Sequence, residues 1–411
     1  MTANPSPPSL FDRRLWTILI IVFFQMLSGS LILPILPLYA QDRFSLSPQI
    51  VTLLFASFFI AQFIAGPYLG RLSDRYGRVP VLIFSQIGTA ISFIMIAQAR
   101  SVEALFLARI LDGITGGNII VAQAYVTDIT PRSERTRALG FIFAAFGLGF
   151  IFGPTAGGGL SAVFGPQAPF WVAAVGSIVV VILTWWMLDE SLTAEQRALN
   201  RRSPAGRLSL KAIAGNLPLA LVLIIAFVGQ FGLGMLQATF ALYGKAVLFA
   251  DVNPRLTNLG VGLLFTVIGL SQFATQTLLL PRVVRRYSEP LIAMLGIVSR
   301  TVGFLIFALA TSPWIAAFGS LFFACGMGLL MPPLQALSTR LAPDEMRGGI
   351  LGVFQSAVSL ATIFGTVMGG FLFASGPTWP HWVGAGLTVI LLLPASMLRR
   401  QTRHLATIPA N

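Results

Sequence analysis

One long apolar stretch carries two opposite charges three residues apart, Arg109 and Asp112, followed by Gly116 and Gln123. At 3.6 residues per turn these four positions share one helix face. A charge at the middle of a bilayer costs about 2.5 to 3.5 kcal/mol on insertion scales, so that face must line a cavity or another helix. Asp112 is the one carboxylate well inside an apolar run, with Glu103 and Asp128 near the ends of the same run. Loss of water favours its neutral form and the guanidinium of Arg109 favours its charged form. A rearrangement that separates the two would therefore move a proton. At i, i+3 the same residues can equally form a static ion pair.

The other polar groups within apolar runs are mostly amides. Gln25, Gln123, Gln230, Gln237 and Gln335 are candidate liners of a substrate cavity; Gln62, Gln272 and Gln276 are similarly placed. Such amides can hydrogen-bond a neutral or amphiphilic compound, or they can bind one another as links between helices. Arg300 lies mid-run with no evident acid partner, which implies either that it snorkels toward an interface or that the span boundary is misplaced. His381, near the start of the last run, is expected to be interfacial. Cys325 is the only cysteine, which excludes a disulfide framework and a cysteine-based metal site. With no phosphate-binding loop and no nucleophile beside a base, no enzyme chemistry, no metal and no cofactor is expected.

These residues must be held by helices in lipid. Of 411 residues, 55% are hydrophobic and 10% charged, too apolar for a water-soluble surface. Runs of about 20 residues recur from end to end. Six are placed near 15–39, 49–69, 80–99, 103–127, 138–160 and 169–188, and six more near 217–243, 257–280, 290–310, 313–337, 348–374 and 379–397. Backbone groups without water need internal partners, so each run is a helix. The expected fold is an all-α integral membrane protein of about twelve spans in two six-helix bundles, 1–188 and 217–411, joined by a polar linker, 189–216.

A net charge of +13 raises nucleic acid as a partner, but the basic residues sit in alternate loops. Arg13, Arg14, Arg71, Arg75, Arg78, Arg132, Arg135 and Arg137 fall on one side, joined by Arg197, Arg201, Arg202, Arg207, Lys211, Arg282, Arg285, Arg286, Arg340, Arg347, Arg399, Arg400 and Arg403. The opposite side has only Arg43, Arg100, Lys245 and Arg255. The positive-inside rule makes the first side, with both termini, cytoplasmic. Bilayer rather than nucleic acid is the partner. The chain also repeats at a separation of 212: Pro131, Arg135, Leu139 and Gly140 recur as Pro343, Arg347, Leu351 and Gly352. Gly153, Gly157 and Gly158 recur as Gly365, Gly369 and Gly370, and Gln123 as Gln335. Two halves so related indicate parallel duplication, with substrate bound between them near mid-bilayer.

Between the second and third runs stands Gly70-Arg71-Leu72-Ser73-Asp74-Arg75-Tyr76-Gly77-Arg78. It resembles the cytoplasmic signature loop of the major facilitator superfamily. The resemblance implies a gate latch in which Asp74 and Arg78 match the charged members, while Gly70 and Gly77 permit close approach and tight turning. The second-half stretch 281–289 has no acid at the place of Asp74. The fifth run holds Gly149, Gly153-Pro154 and Gly157-Gly158, similar to the glycine and proline motif of antiporters, chiefly drug exporters, in that superfamily. Small residues at i, i+4 also serve close helix packing. In the fourth run, Arg109 to Asn118 resembles the arginine and glycine motif of proton-coupled members, and Gly113-Ile114-Thr115-Gly116 and Asp128-Ile129-Thr130 are similar to tetracycline exporters. Asp112 departs from the family pattern, which more often has a neutral residue there.

The resemblance implies a secondary transporter that exports small amphiphilic compounds, drug or tetracycline-like, in exchange for protons by alternating access. Its partners would be a small-molecule substrate, protons and lipid, and it would act as a monomer in the cytoplasmic membrane. Arg109 and Asp112 would couple protons; Gly70, Asp74, Arg75, Gly77 and Arg78 would gate. The alternative on the same fold is a proton-coupled importer of a nutrient such as a sugar or carboxylate. A receptor or assembly factor using the scaffold is a third reading.

Overall fold

A computed structural model describes residues 13–131, 134–193, 197, 216–342 and 347–402. Most of the predicted linker, with Arg201, Arg202, Arg207 and Lys211, lies outside the described residues, as do Arg132, Pro343 and Arg403. Among the described residues, twelve helices are long and apolar enough to cross a membrane. They are α1 (Arg13–Phe44), α2 (Pro48–Tyr76), α3 (Arg78–Gln98), α4 (Val102–Ile129), α5 (Arg137–Phe164) and α6 (Ala168–Met187). The second set is α7 (Leu217–Leu248), α8 (Pro254–Val284), α9 (Glu289–Leu309), α10 (Pro313–Arg340), α11 (Gly349–Ser375) and α12 (Trp379–Gln401). All twelve predicted runs are present.

The sequence starts these helices by recognisable means. Pro lies in the first turn of α6, α7, α8, α9, α10 and α12, where its missing N–H costs nothing. The Ser101 hydroxyl accepts from Ala104 N at 3.3 Å, and the Asn216 side chain accepts from Leu219 N at 3.2 Å, each satisfying an otherwise orphaned donor. Not every span is a straight rod. α1 is interrupted after Leu31, α4 after Thr115, and π-turns lie at Gly244–Leu248 in α7 and Thr275–Leu279 in α8.

Backbone contacts divide the chain into two compact units, Met1–Tyr39 with Ser57–Pro204, and Ala40–Ala56 with Ala205–Asn411. The first unit has a core of Leu15, Ile18, Val22, Leu82, Tyr125 and Ile142, with Val180 of α6. Its second-unit counterpart gathers Val222, Ile225, Ile297, Leu330, Leu334, Phe354 and Leu398. Large apolar side chains such as Phe164, Trp186 and Leu309 point outward, as lipid requires.

The internal repeat is visible in which helices touch. In the first unit α5 crosses α1 through glycines: a Cβ on Gly149 would stand 2.8 Å from Phe23 O, and one on Gly157 would overlap the Leu31 carbonyl oxygen. Ser30 Oγ donates to Gly149 O across this crossing at 2.9 Å. In the second unit α11 crosses α7 in the same manner. A Cβ on Gly365 would overlap Phe231 O, one on Gly369 would lie 3.1 Å from Met235 Cα, and Thr366 Oγ1 donates to Gly234 O at 3.4 Å. Small residues are needed here because backbone meets backbone.

Gly157→Ala is therefore expected to destabilise the protein by about 1–3 kcal/mol, the usual range for overpacking. Gly159→Ala, whose Cβ would meet nothing within 4 Å, should leave stability unchanged. Thermal unfolding of the two detergent-purified variants checks this, and equal midpoints would remove the α1–α5 contact as a constraint.

Candidate functional site

The α4 face predicted to carry chemistry is built around a sealed ion pair. Arg109 Nη1 donates to Asp112 Oδ2 at 2.7 Å, with the two side chains only 6% and 8% exposed. The guanidinium carbon also lies 4.3 Å from the Phe58 ring centroid of α2, within cation–π range. Neighbouring helices come very close at this point. A Cβ on Gly113 would overlap Phe58 O of α2, and one on Gly88 of α3 would overlap the Thr115 side chain.

One turn beyond Asp112 the helix breaks. α4 is helical over Val102–Thr115 and again over Asn118–Ile129, with Gly116 and Gly117 between. Carbonyls at such a break lose helical donors, and here neighbours supply them. Gln62 Nε2 of α2 donates to Gly116 O at 2.9 Å, and Ser85 Oγ of α3 donates to Thr115 O. The continuous face predicted from Arg109 to Gln123 is thus interrupted. Gln123 stands on the second segment, half-buried, beyond the break.

The α2–α3 loop is a second polar centre of the first unit. Arg78 is its hub: Nη1 pairs with Asp74 Oδ1 at 2.7 Å, Nε donates to Asp128 Oδ2 at 2.9 Å, and Nη1 also donates to Ser73 Oγ at 2.7 Å. Asp128 further accepts from Ser191 Oγ at 3.0 Å. Glu190 accepts from the backbone N of Arg78 at 2.9 Å and of Val79 at 3.2 Å, capping the N-terminus of α3 with a carboxylate where the helix dipole favours negative charge. Gly77 is required there. Its φ is +109°, and any Cβ would overlap the Glu190 carboxylate. Gly70 shows no such need, since a Cβ on it would meet nothing within 4 Å; the close approach expected of it is not found. Arg75 is exposed and stacks on Tyr76 at 5.2 Å. Sequence reasoning missed Asp128 and Glu190 as partners, because they stand 50 and 112 positions from Arg78.

The second unit has an ion pair of opposite polarity at the matching helix ends, in register at one partner and one position out at the other, since Arg78 matches Pro290. Position 128 plus the repeat separation of 212 is Arg340, at the end of α10, and it pairs with Glu289 at the start of α9. The α3–α4 and α9–α10 ends are thus tied in the same place by opposite polarity.

The amides do not form one set. Gln230 Nε2 donates to Thr362 Oγ1 at 3.0 Å, linking α7 to α11, and Gln62 serves α4 as described. Gln25 is half-buried and its Oε1 is sealed without a donor; Gln237 is half-buried and Gln335 exposed. Pro154 and Gly158 are buried within α5, and Gly153 packs on Ser30. Two expectations are overturned. Arg300 does not snorkel: it is 1% exposed in the interior of the second unit. His381 is not interfacial: it is fully buried, its ring 4.5 Å from Tyr243 and 5.5 Å from Phe307. Aromatic residues on α7 and α9 provide an apolar box that no local pattern around His381 announces.

Twelve spans, an internal repeat and an ion pair sealed in mid-span define a multi-pass membrane transporter. Residues 18–253 and 247–410 match the family described as Major Facilitator Superfamily, and the chain belongs to that superfamily. It is 32% identical over 384 residues to the class C tetracycline resistance protein of Escherichia coli, covering 92% of this chain and 94% of that one. Multidrug resistance protein 2 of Bacillus subtilis (strain 168) is 28% identical, with 93% and 94% covered. Among solved structures, the nucleoside transporter NupG has the same fold, with a TM-score of 0.76 at 16% identity over 93% of this chain and 98% of that one.

Asp128 and Asp74 both hold Arg78, but the Asp128 side chain is 21% exposed and Asp74 45%. Asp128→Asn is expected to cost about 1.5–3 kcal/mol, the range for a hydrogen bond to a charged group. Asp74→Asn should cost about 0.2–1 kcal/mol, as for a surface pair. Comparing thermal unfolding of the two variants tests the ranking, and a larger loss for Asp74→Asn would reverse it.

Proposed function

We infer that the protein exports small amphiphilic compounds of the tetracycline or multidrug kind in exchange for protons, with Arg109 and Asp112 as the coupling pair. The observation that carries this reading is the position of the pair, sealed in mid-span and one turn before a break in α4. An intramembrane ionisable residue is retained at a cost, which transport function explains. The relatives named for tetracycline and multidrug resistance, aligned over more than nine-tenths of the chain, support the substrate class and the outward direction.

The proposed cycle follows from the chemistry of one ion pair. With Asp112 charged, Arg109 holds it and the pair is neutral overall. A proton on Asp112 removes the charge that Arg109 binds, so the guanidinium is released to its contact with Phe58 and to any acceptor the substrate offers. Breaking a buried pair without such compensation costs about 3–5 kcal/mol, so proton and substrate act on one equilibrium. Gly116 and Gly117 would let the first segment of α4 move while Gln62 and Ser85 hold the carbonyls of the break. The network at Arg78 would latch the gate, with Gly70 and Arg75 as the flexible and exposed parts of that loop. The glycines and Pro154 of α5 would provide the packed surface on which α1 turns. Gln25, Gln123, Gln237 and Gln335 are proposed to meet substrate. Basic loops support cytoplasmic termini by the positive-inside rule, and since one chain supplies both units, a monomer would suffice.

Asp112→Asn tests the coupling role. Inverted membrane vesicles with an acidic interior should accumulate tetracycline when they carry the wild-type chain. Asp112→Asn vesicles should lose all uphill accumulation, yet still equilibrate tetracycline faster than vesicles lacking the protein, because the change is isosteric. Normal uphill accumulation in Asp112→Asn would leave Arg109 and Asp112 as a structural pair.

A further inference from the structure

One side of α2 carries a groove for which the reading above has no use. Leu53, Ile60, Ile64, Tyr68 and Leu72 are all exposed, and spacings of seven and four keep them on one side of the helix along most of its length. An apolar stripe that long on the outside of a span is a surface for hydrocarbon. At one end of the stripe, between α2 and α4, lies a groove of about 330 Å³ lined by Tyr68, Leu69, Leu72 and Ile114 together with Arg71 and Arg75. Close packing fixes its wall, because a Cβ on Gly117 at the α4 break would overlap Leu69.

The two arginines stand where the helix leaves the hydrocarbon. α2 has 29 residues, roughly 43 Å at 1.5 Å each, against a hydrocarbon core of about 30 Å. Arg71 and Arg75 lie in its last turns, at the level of the headgroups. Four residues apart, they share one side of the helix and repel each other. Neither forms an ion pair among the described residues, since Asp74 and Asp128 are engaged by Arg78 and Glu190 caps α3. Arg75 stacks on Tyr76 at 5.2 Å, and a ring face attracts the charge without supplying a counter-charge.

We propose that this groove binds an acidic phospholipid, its phosphate at Arg71 and Arg75 and an acyl chain along Tyr68, Leu72 and Ile114. Charge selects the headgroup, because guanidinium groups match phosphate in geometry and basic residues at a membrane surface attract anionic lipid. Size selects the tail. One turn of a helix about 10 Å across fills roughly 420 Å³, so the groove suits a flexible chain and not a helix of a second protein. Tyr68 stands where aromatic side chains meet headgroups. The proposal needs no assumption about the transported compound.

The test uses the full chain purified in a neutral detergent and reads binding rather than transport. Its thermal unfolding midpoint is followed as phosphatidylglycerol is added, with phosphatidylcholine of the same chains as the comparison. Binding to the native state alone predicts a midpoint that rises with phosphatidylglycerol and levels off, with a smaller rise for phosphatidylcholine. The double variant Arg71→Gln, Arg75→Gln should need on the order of 25-fold more phosphatidylglycerol for the same rise, about fivefold per arginine. Arg285→Gln with Arg286→Gln, an equal loss of exposed charge in the second unit, should keep the wild-type response. Equal responses of the wild type to the two lipids overturn the proposal whether or not the variants fold. An undiminished response in the Arg71, Arg75 variant, or an equal loss in the Arg285, Arg286 variant, also overturns it by making the attraction diffuse. The same rise with glycerol phosphate alone overturns the lipid as occupant.

Discussion

A hydrocarbon interior supplies no hydrogen bonds, and this constraint governs where the protein can keep polar groups. Many of those inside the spans bring a partner with them. Arg109 does so with Asp112 at 2.7 Å. The break in α4 does so by borrowing Gln62 and Ser85 from α2 and α3. Thr301 and Thr388 join α9 to α12 through their hydroxyls at 2.9 Å, and Tyr243 donates to Phe307 O at 2.7 Å. Close helix approach is the precondition for these short bonds, and it rests on the glycines at the crossings. A larger residue at Gly88 or Gly113 would push apart the helices that enclose the ion pair.

The two halves answer the same constraint with different residues. At the α1–α5 and α7–α11 crossings the solution is repeated, with Gly153 and Gly157 matched by Gly365 and Gly369. At the helix ends it is repeated with reversed sign. Asp128 pairs with Arg78 in one unit, and Arg340, its match, pairs in the other with Glu289, which stands one position before the match of Arg78. The Arg78 pair is also reinforced by Asp74, Ser73 and the cap from Glu190, which draws α2, α3, α4 and the segment after α6 to one place. Among the described residues, the first-unit network is the more extensive of the two.

Much of this was legible in the residue order, because it is local or periodic. The twelve spans follow from apolar runs, and the duplication from glycines and prolines in one register. Arg109 with Asp112 follows from a spacing of three. Positions whose role depends on distant neighbours were not legible in this way. Glu190 looks like a charge at the end of a span until the fold brings it under Gly77, and Asp128 resembles part of a helix-end motif until Arg78 reaches it. The break in α4 could have been read from Gly116-Gly117, yet helical periodicity alone carries straight through it. Arg300 and His381 were misplaced for one reason. A lone polar residue in an apolar run carries no information about which face it occupies, and both faces of these helices are apolar.

Duplication also sharpens the contrast between the charged groups in mid-span. The positions that match Arg109 and Asp112 in the second half are Leu321 and Ala324, and the position that matches Arg300 in the first half is Gly88. The first unit thus puts its charges on α4 and a glycine on α3, while the second puts its charge on α9 and the apolar residues Leu321 and Ala324 on α10. Gly88 has to be small because Thr115 of the α4 break fills the space beside it. In the second unit Gly326 takes the complementary part, lying against the Arg300 backbone so that the arginine can occupy the interior. Asp112 has its cation one turn away, and Arg300 stands where the facing helix is cut back to Gly326. The duplicated scaffold therefore keeps its packing plan while the mid-span charges differ between the halves, an ion pair on α4 in one and a single guanidinium on α9 in the other.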